Sequence, residues 1–209
     1  MQTKIKAILF DLDGVLVNMP EAHYIALNRA LELFGAHIDE DEHQQYFNGL
    51  PTRKKVAALE EMERLPIGLL EFINEIKQKY THELIPKYCV PEHSKIILMR
   101  HLKDSGLLLA CCSNSVKETL HPMLRSAGLF DYMDLIVGND EVTKPKPDPE
   151  IYIHAMKRLS LTPEEVIIVE DSPHGIEAGR ASGAEVRIVR GVEDVNISLF
   201  NDILNYEKI

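Results

Sequence analysis

The sequence predicts an α/β fold in which a doubly wound parallel sheet is interrupted, after its first strand, by a small all-helical insertion. Three observations carry this: short apolar runs that end in polar residues, an acidic pair at the exit of the first run, and a long stretch without any such run between the first and second. Four-to-six-residue apolar segments of this kind suit strands buried on both faces, as a parallel sheet requires.

The first run, Ile5–Phe10, leads into Asp11-Leu12-Asp13-Gly14. In an open α/β sheet, ligands bind in the crevice beyond the carboxyl ends of the strands, so two carboxylates one residue apart are displayed where chemistry is usually done. They suggest a nucleophile, a proton carrier and a metal seat. The four residues by themselves equally fit an Asx-rich turn.

Met19 to Tyr88 follows, with apolar side chains at helical spacing instead. Helices are expected over Glu21–Phe34, stopped by Gly35, and over Asp39–Phe47, Thr52–Arg64 and Pro66–Ile85, the last open to a break. Two domains result: residues 1–18 with 89–209, and the insertion 19–88.

Leu107–Cys112 is the second run and ends in Ser113-Asn114-Ser115. Ser113 fits either an anion-binding hydroxyl or a cap for the helix expected over Val116–Ala127, and a helix amino end itself attracts phosphate. After the third run, Leu135–Gly138, three prolines within Lys144-Pro145-Lys146-Pro147-Asp148-Pro149 hold the chain extended. Lys144 is therefore either a solvated surface charge or a fixed cation beside the acids. The fourth run, Val166–Val169, ends in Glu170-Asp171-Ser172-Pro173-His174-Gly175. Converging acids raise one another's pKa unless a cation sits between them, and an all-oxygen set suits Mg²⁺.

Asp11-Leu12-Asp13-Gly14-Val15-Leu16-Val17, Ser113-Asn114, Lys144-Pro145-Lys146-Pro147-Asp148 and Glu170 through Gly179 together resemble, in order, the four motifs of the haloacid dehalogenase-like hydrolase superfamily, specifically its phosphatase and β-phosphoglucomutase-like branch. The resemblance runs from Lys4 to about Arg190. It implies a Rossmann-like core with a helical cap, and phosphoryl transfer through an aspartyl phosphate. Asp11 would be the nucleophile, Asp13 the general acid and base, and Ser113, Asn114 and Lys144 the holders of the phosphoryl group. Mg²⁺ would be bound by Asp11, the Asp13 carbonyl and Asp171, with Glu170 supporting directly or through water. Asn18 and Thr143 stand where many relatives have Asp and Gly; neither removes a catalytic group. In the cap, His23 and Arg53, the latter in the turn Asn48–Arg53, are candidate substrate contacts, while Lys77 is read as a solvated side chain.

The chain has 209 residues, 45% of them hydrophobic, and a formal net charge of −10. That field repels nucleic acids and anionic membranes and favours a small phosphorylated metabolite as the partner. Cys89, Cys111 and Cys112 form no disulfide framework, and Lys4 and Lys6 interrupt the apolar amino terminus, so a cytoplasmic location is expected. The expected function is a Mg²⁺-dependent phosphatase. The alternatives are a β-phosphoglucomutase-like phosphomutase and a non-catalytic binding protein that keeps the fold.

Overall fold

The structure, a computed structural model, describes residues 5–47 and 52–204. It divides into two compact units, Met1–Met19 with Pro86–Ile209, and Pro20–Ile85.

Among the described residues, the first unit is built on five parallel strands: β1 (Ala7–Phe10), β2 (Leu108–Cys112), β3 (Leu135–Val137), β4 (Val166–Glu170) and β5 (Glu185–Ile188), in the order β3-β2-β1-β4-β5. The chain runs outward from β1 to β3, then returns to the other side of β1 to place β4. This reversal makes the carboxyl ends of β1 and β4 the switch point of the sheet, where the backbone opens a crevice. Register reinforces it, since Phe10 pairs with Cys111 on one side and with Val169 on the other. Asp11, Cys112 and Glu170 therefore leave the sheet at one edge.

All residues of β1 and β4 are buried, which explains their continuous apolar sequences. Glu170 is the exception, an acid with no exposed surface at the end of a core strand. One face of the sheet packs Leu9, Ala110, Val137 and Ile168 with Ile151, Tyr152, Ala155 and Met156. The last four lie on a helix, Glu150–Leu159, that was not among the sequence expectations. Nor was β5, an edge strand of sequence Glu-Val-Arg-Ile whose mixed charges conceal it from an apolar-run criterion.

In the second unit, α1 (Pro20–Glu32) ends ahead of Gly35, whose φ of +73° belongs to the left-handed region that favours glycine. The Asn28 side chain clamps the returning loop by accepting from Ile38 N–H and donating to Ile38 O, both at 2.9 Å. The helix expected over Asp39–Phe47 is instead a short α2 (Glu40–Glu42), capped by Asp39, and a π-helical turn, His43–Phe47. Two further helices, α3 (Thr52–Glu61) and α4 (Leu70–Tyr88), complete this part of the chain. The start expected at Pro66 moves to Leu70 because Gly68 takes a φ of +92°. Leu27, Leu31, Phe47, Val56, Leu59 and Ile73 form its core.

After α4 come α5 (His93–Asp104) and α6 (Lys117–Ser126), then the Glu150–Leu159 helix, α7, and α8 (Pro173–Ala181). Ile168→Ala should destabilise the protein by about 2–5 kcal/mol, because it opens a cavity at the centre of the sheet face. Urea unfolding monitored by circular dichroism measures it.

Candidate active site

The turn after β1 is held by its own backbone. Leu12 O accepts from Leu16 N–H at 2.9 Å and Val17 N–H at 3.0 Å, while Gly14 N–H donates to Val17 O at 2.7 Å. Gly14 has a φ of +81°, and a Cβ placed there would lie 1.9 Å from Asp171 Oδ2. The glycine thus lets the carboxylate that follows β4 pack against the turn that follows β1. A second close approach occurs at Gly175, where a Cβ would come within 1.8 Å of Glu170 Oε1. Its N–H donates to Ser172 Oγ, the cap of α8, at 3.1 Å.

At the centre is Lys146. Its ammonium donates to Asp11 Oδ1 at 2.6 Å, Glu170 Oε1 at 2.6 Å and Cys112 O at 2.8 Å, which occupies all three N–H groups. Burial alone would favour the neutral amine, but Asp11 and Glu170 outweigh it and hold the lysine above its ordinary pKa. Its backbone is fixed as well. Asn114 Oδ1 accepts from Lys146 N–H at 3.0 Å, and the Asn114 amide donates to Lys146 O at 3.3 Å.

Glu170 is saturated with donors. Oε1 accepts from Lys146 and from the Tyr152 hydroxyl, the latter at 2.6 Å, and Oε2 accepts from Asp171 N–H at 3.1 Å, Ser172 N–H at 3.4 Å and Ser172 Oγ at 3.3 Å. Burial, with the Glu170 and Asp11 charges added, pushes the Tyr152 phenol well above its usual range, so it remains a donor.

The other two acids differ. Burial raises Asp11 well above the usual carboxylate range despite the Lys146 charge, and Glu170 adds to the rise. Asp171 is pushed up to about 6, first by burial and then by Glu170. Its Oδ1 is buried and accepts no hydrogen bond. One carboxylate oxygen each from Asp11, Glu170 and Asp171 lie within 4.8 Å of one another. Such a set can receive a hard cation, and a cation there would reverse the upward shifts.

Of the residues expected at the site, the structure brings Asp11, Ser113, Asn114, Glu170 and Asp171 to this strand edge, and Asp13 lies in the turn beside them. Ser113 is buried, its Oγ accepting from Ser115 N–H at 3.2 Å as a local turn cap. Asn114, expected to touch substrate, uses its amide to hold the Lys146 backbone.

Lys144 is not brought in. Its side chain is 71% exposed, with its ammonium 3.7 Å from Asp148. The expectation is corrected in favour of Lys146, whose side chain is 3% exposed. Lys-Pro occurs twice in succession, so the motif can be set in two frames, and burial of one ammonium between two acids selects the second.

His23 lies half-buried on α1 and Arg53 exposed on α3, both in the second unit; Asn48–Pro51 of the expected specificity turn fall outside the described residues. Lys77, expected to be solvated, is half-buried on α4. Burial, with the Lys77 charge added, lowers Lys55 to about 8.

A profile of the haloacid dehalogenase-like hydrolases matches residues 8–189. The chain belongs to this family. Among its relatives, a phosphorylated carbohydrates phosphatase of Thermotoga maritima is 31% identical over 92% of this chain and 88% of its own length. A phosphoglycolate phosphatase of Thiobacillus denitrificans is 31% identical over 87% of this chain and 82% of its own. The crystal structure of a Thermotoga maritima protein described as a β-phosphoglucomutase superposes with a TM-score of 0.69 at 30% identity, covering 88% of this chain and 84% of that one. The haloacid dehalogenase-like core is the parallel sheet described above.

Lys146→Met should destabilise the protein by about 3–5 kcal/mol at neutral pH, because it leaves two buried carboxylates without their cation. Lys144→Met should be indistinguishable from wild type. Equal urea midpoints for the two variants would contradict the assignment.

Proposed function

We propose that the protein is a Mg²⁺-dependent phosphatase of small phosphomonoesters, sugar phosphates among them, working through a phosphorylated Asp11. The observation that carries this reading is the position of the Asp11 carboxylate, at the switch point of the sheet, bonded to a buried ammonium and adjacent to an acid with an unused oxygen. The family membership and the phosphatase names of the relatives support it.

Asp11 Oδ attacks phosphorus while the bond from phosphorus to the ester oxygen breaks, and Asp13 gives that oxygen its proton. Asp13 then takes a proton from water as the water oxygen attacks phosphorus, and the bond to Asp11 breaks, releasing phosphate. Lys146 and Ser113 hold the phosphoryl oxygens. For Lys146 this means exchanging one present hydrogen bond for another at little electrostatic cost, because the acceptors carry similar charge. Asp11, the Asp13 carbonyl and Asp171 would hold the ion. The unused buried oxygen of Asp171 fits that role, whereas Glu170 has donors on both oxygens and supports the site through Lys146. When bound, Mg²⁺ supplies positive charge where the phosphoryl group accumulates negative charge.

The unit Pro20–Ile85 is read as the helical cap domain of this family, carrying His23 and Arg53 as candidate substrate-binding residues. A cytoplasmic location fits the three free, buried thiols, and among the described residues no helix is long and apolar enough to cross a membrane. Likeness to the protein described as a β-phosphoglucomutase favours one second reading, a phosphomutase. With β-glucose 1-phosphate and a bisphosphate primer, stoichiometric free phosphate supports the hydrolase and accumulation of glucose 6-phosphate the mutase.

A phosphometabolite panel with Mg²⁺ tests the reading, and absence of turnover across it would favour a non-catalytic binding protein. Against the best substrate, Asp11→Asn should lower kcat at least about a thousandfold, since it removes the nucleophile with little change of volume. Retained activity excludes the covalent route. Asp13→Ala should slow alkyl phosphates more than aryl phosphates, whose leaving groups need less protonation; an equal loss contradicts its acid role.

A further inference from the structure

Tyr152 has no part in the chemistry above, yet it touches the centre of the site. It is fully buried on α7, its hydroxyl donates to Glu170 Oε1 at 2.6 Å, and its ring centroid lies 4.8 Å from Lys146 Nζ. Glu170 Oε1 therefore serves two donors at once, while the ammonium facing it has all three of its N–H groups engaged.

For Lys146 to hold a phosphoryl oxygen, one of those three bonds must be given up or shared. The Cys112 carbonyl is fixed in β2, so the contest is between Asp11 and Glu170. A carboxylate oxygen that already accepts a phenolic hydrogen bond has part of its charge compensated and attracts a second donor less strongly. The same bond keeps the Glu170 carboxylate from turning.

We propose that Tyr152 is a positioning residue for phosphoryl transfer, whose hydroxyl pins Glu170 and limits its hold on Lys146, so that the ammonium stays within reach of Asp11. The proposal rests on the phosphatase reading for its kinetic consequence, and on geometry alone for its structural one.

Tyr152→Phe separates the hydroxyl from the ring, because it preserves the packing and the aromatic face beneath the ammonium. With p-nitrophenyl phosphate and Mg²⁺, kcat per folded molecule should fall about tenfold while KM stays within about twofold. In a metal-free crystal structure of the variant, Lys146 Nζ should lie closer to Glu170 and further from Asp11. Loss of folded protein with unchanged kcat, an unchanged kcat with full folding, or a fall in kcat with the ammonium unmoved would each overturn the proposal. Should wild type itself release no phosphate, the functional reading fails, and the crystal structure still decides: a displaced ammonium sustains the positioning role and an unmoved one refutes it.

Discussion

Everything at this site depends on one buried charge, the Lys146 ammonium shared between Asp11 and Glu170. A lysine and two acids taken out of water are each unfavourable alone, and together they are tolerable only if geometry pairs them closely. The sheet supplies that geometry. Parallel register sets the exits of β1, β2 and β4 side by side, so that Asp11, the Cys112 carbonyl and Glu170 present three acceptors to one donor head. The chain then brings the lysine to them on a proline-bracketed segment whose backbone is gripped by Asn114.

The arrangement leaves the two ends of the acidic cluster chemically unequal. Glu170 has hydrogen-bond donors on both oxygens, while Asp171 keeps a buried oxygen without one and is raised to about 6. The first condition suits a carboxylate that orients a lysine, and the second one that receives a cation. Two glycines make this possible by their lack of a side chain, Gly14 against Asp171 and Gly175 against Glu170. The acids can then sit within a few ångströms of a turn and a helix start that any Cβ would block.

Much of this was legible in the sequence because buried parallel strands advertise themselves. Ala7–Phe10, Leu108–Cys112, Leu135–Val137 and Val166–Glu170 all fall on or within a residue of apolar runs, and the acids at the ends of the first and fourth follow directly. β5 did not show, since an edge strand with Glu185 and Arg187 lacks the run that burial on both faces imposes. Asp39–Phe47 read as one helix because periodicity does not register the widening into a π turn. Lys144, expected as the fixed cation, lies exposed, and Lys146 lies buried instead; the two Lys-Pro steps are equivalent as sequence, and packing against Asp11 and Glu170 distinguishes them. Tyr152 was equally hidden, as a tyrosine at a core position of a helix gives no sign of what its hydroxyl meets.

The account stands on Asp11 accepting the phosphoryl group. The most direct test is to mix the protein with a ³²P-labelled substrate and Mg²⁺, quench within milliseconds, and locate the label by peptide mapping. The account predicts a hydroxylamine-sensitive label on the peptide carrying Asp11, rising before free phosphate appears; label on any other residue, or phosphate released with no labelled protein preceding it, would contradict it.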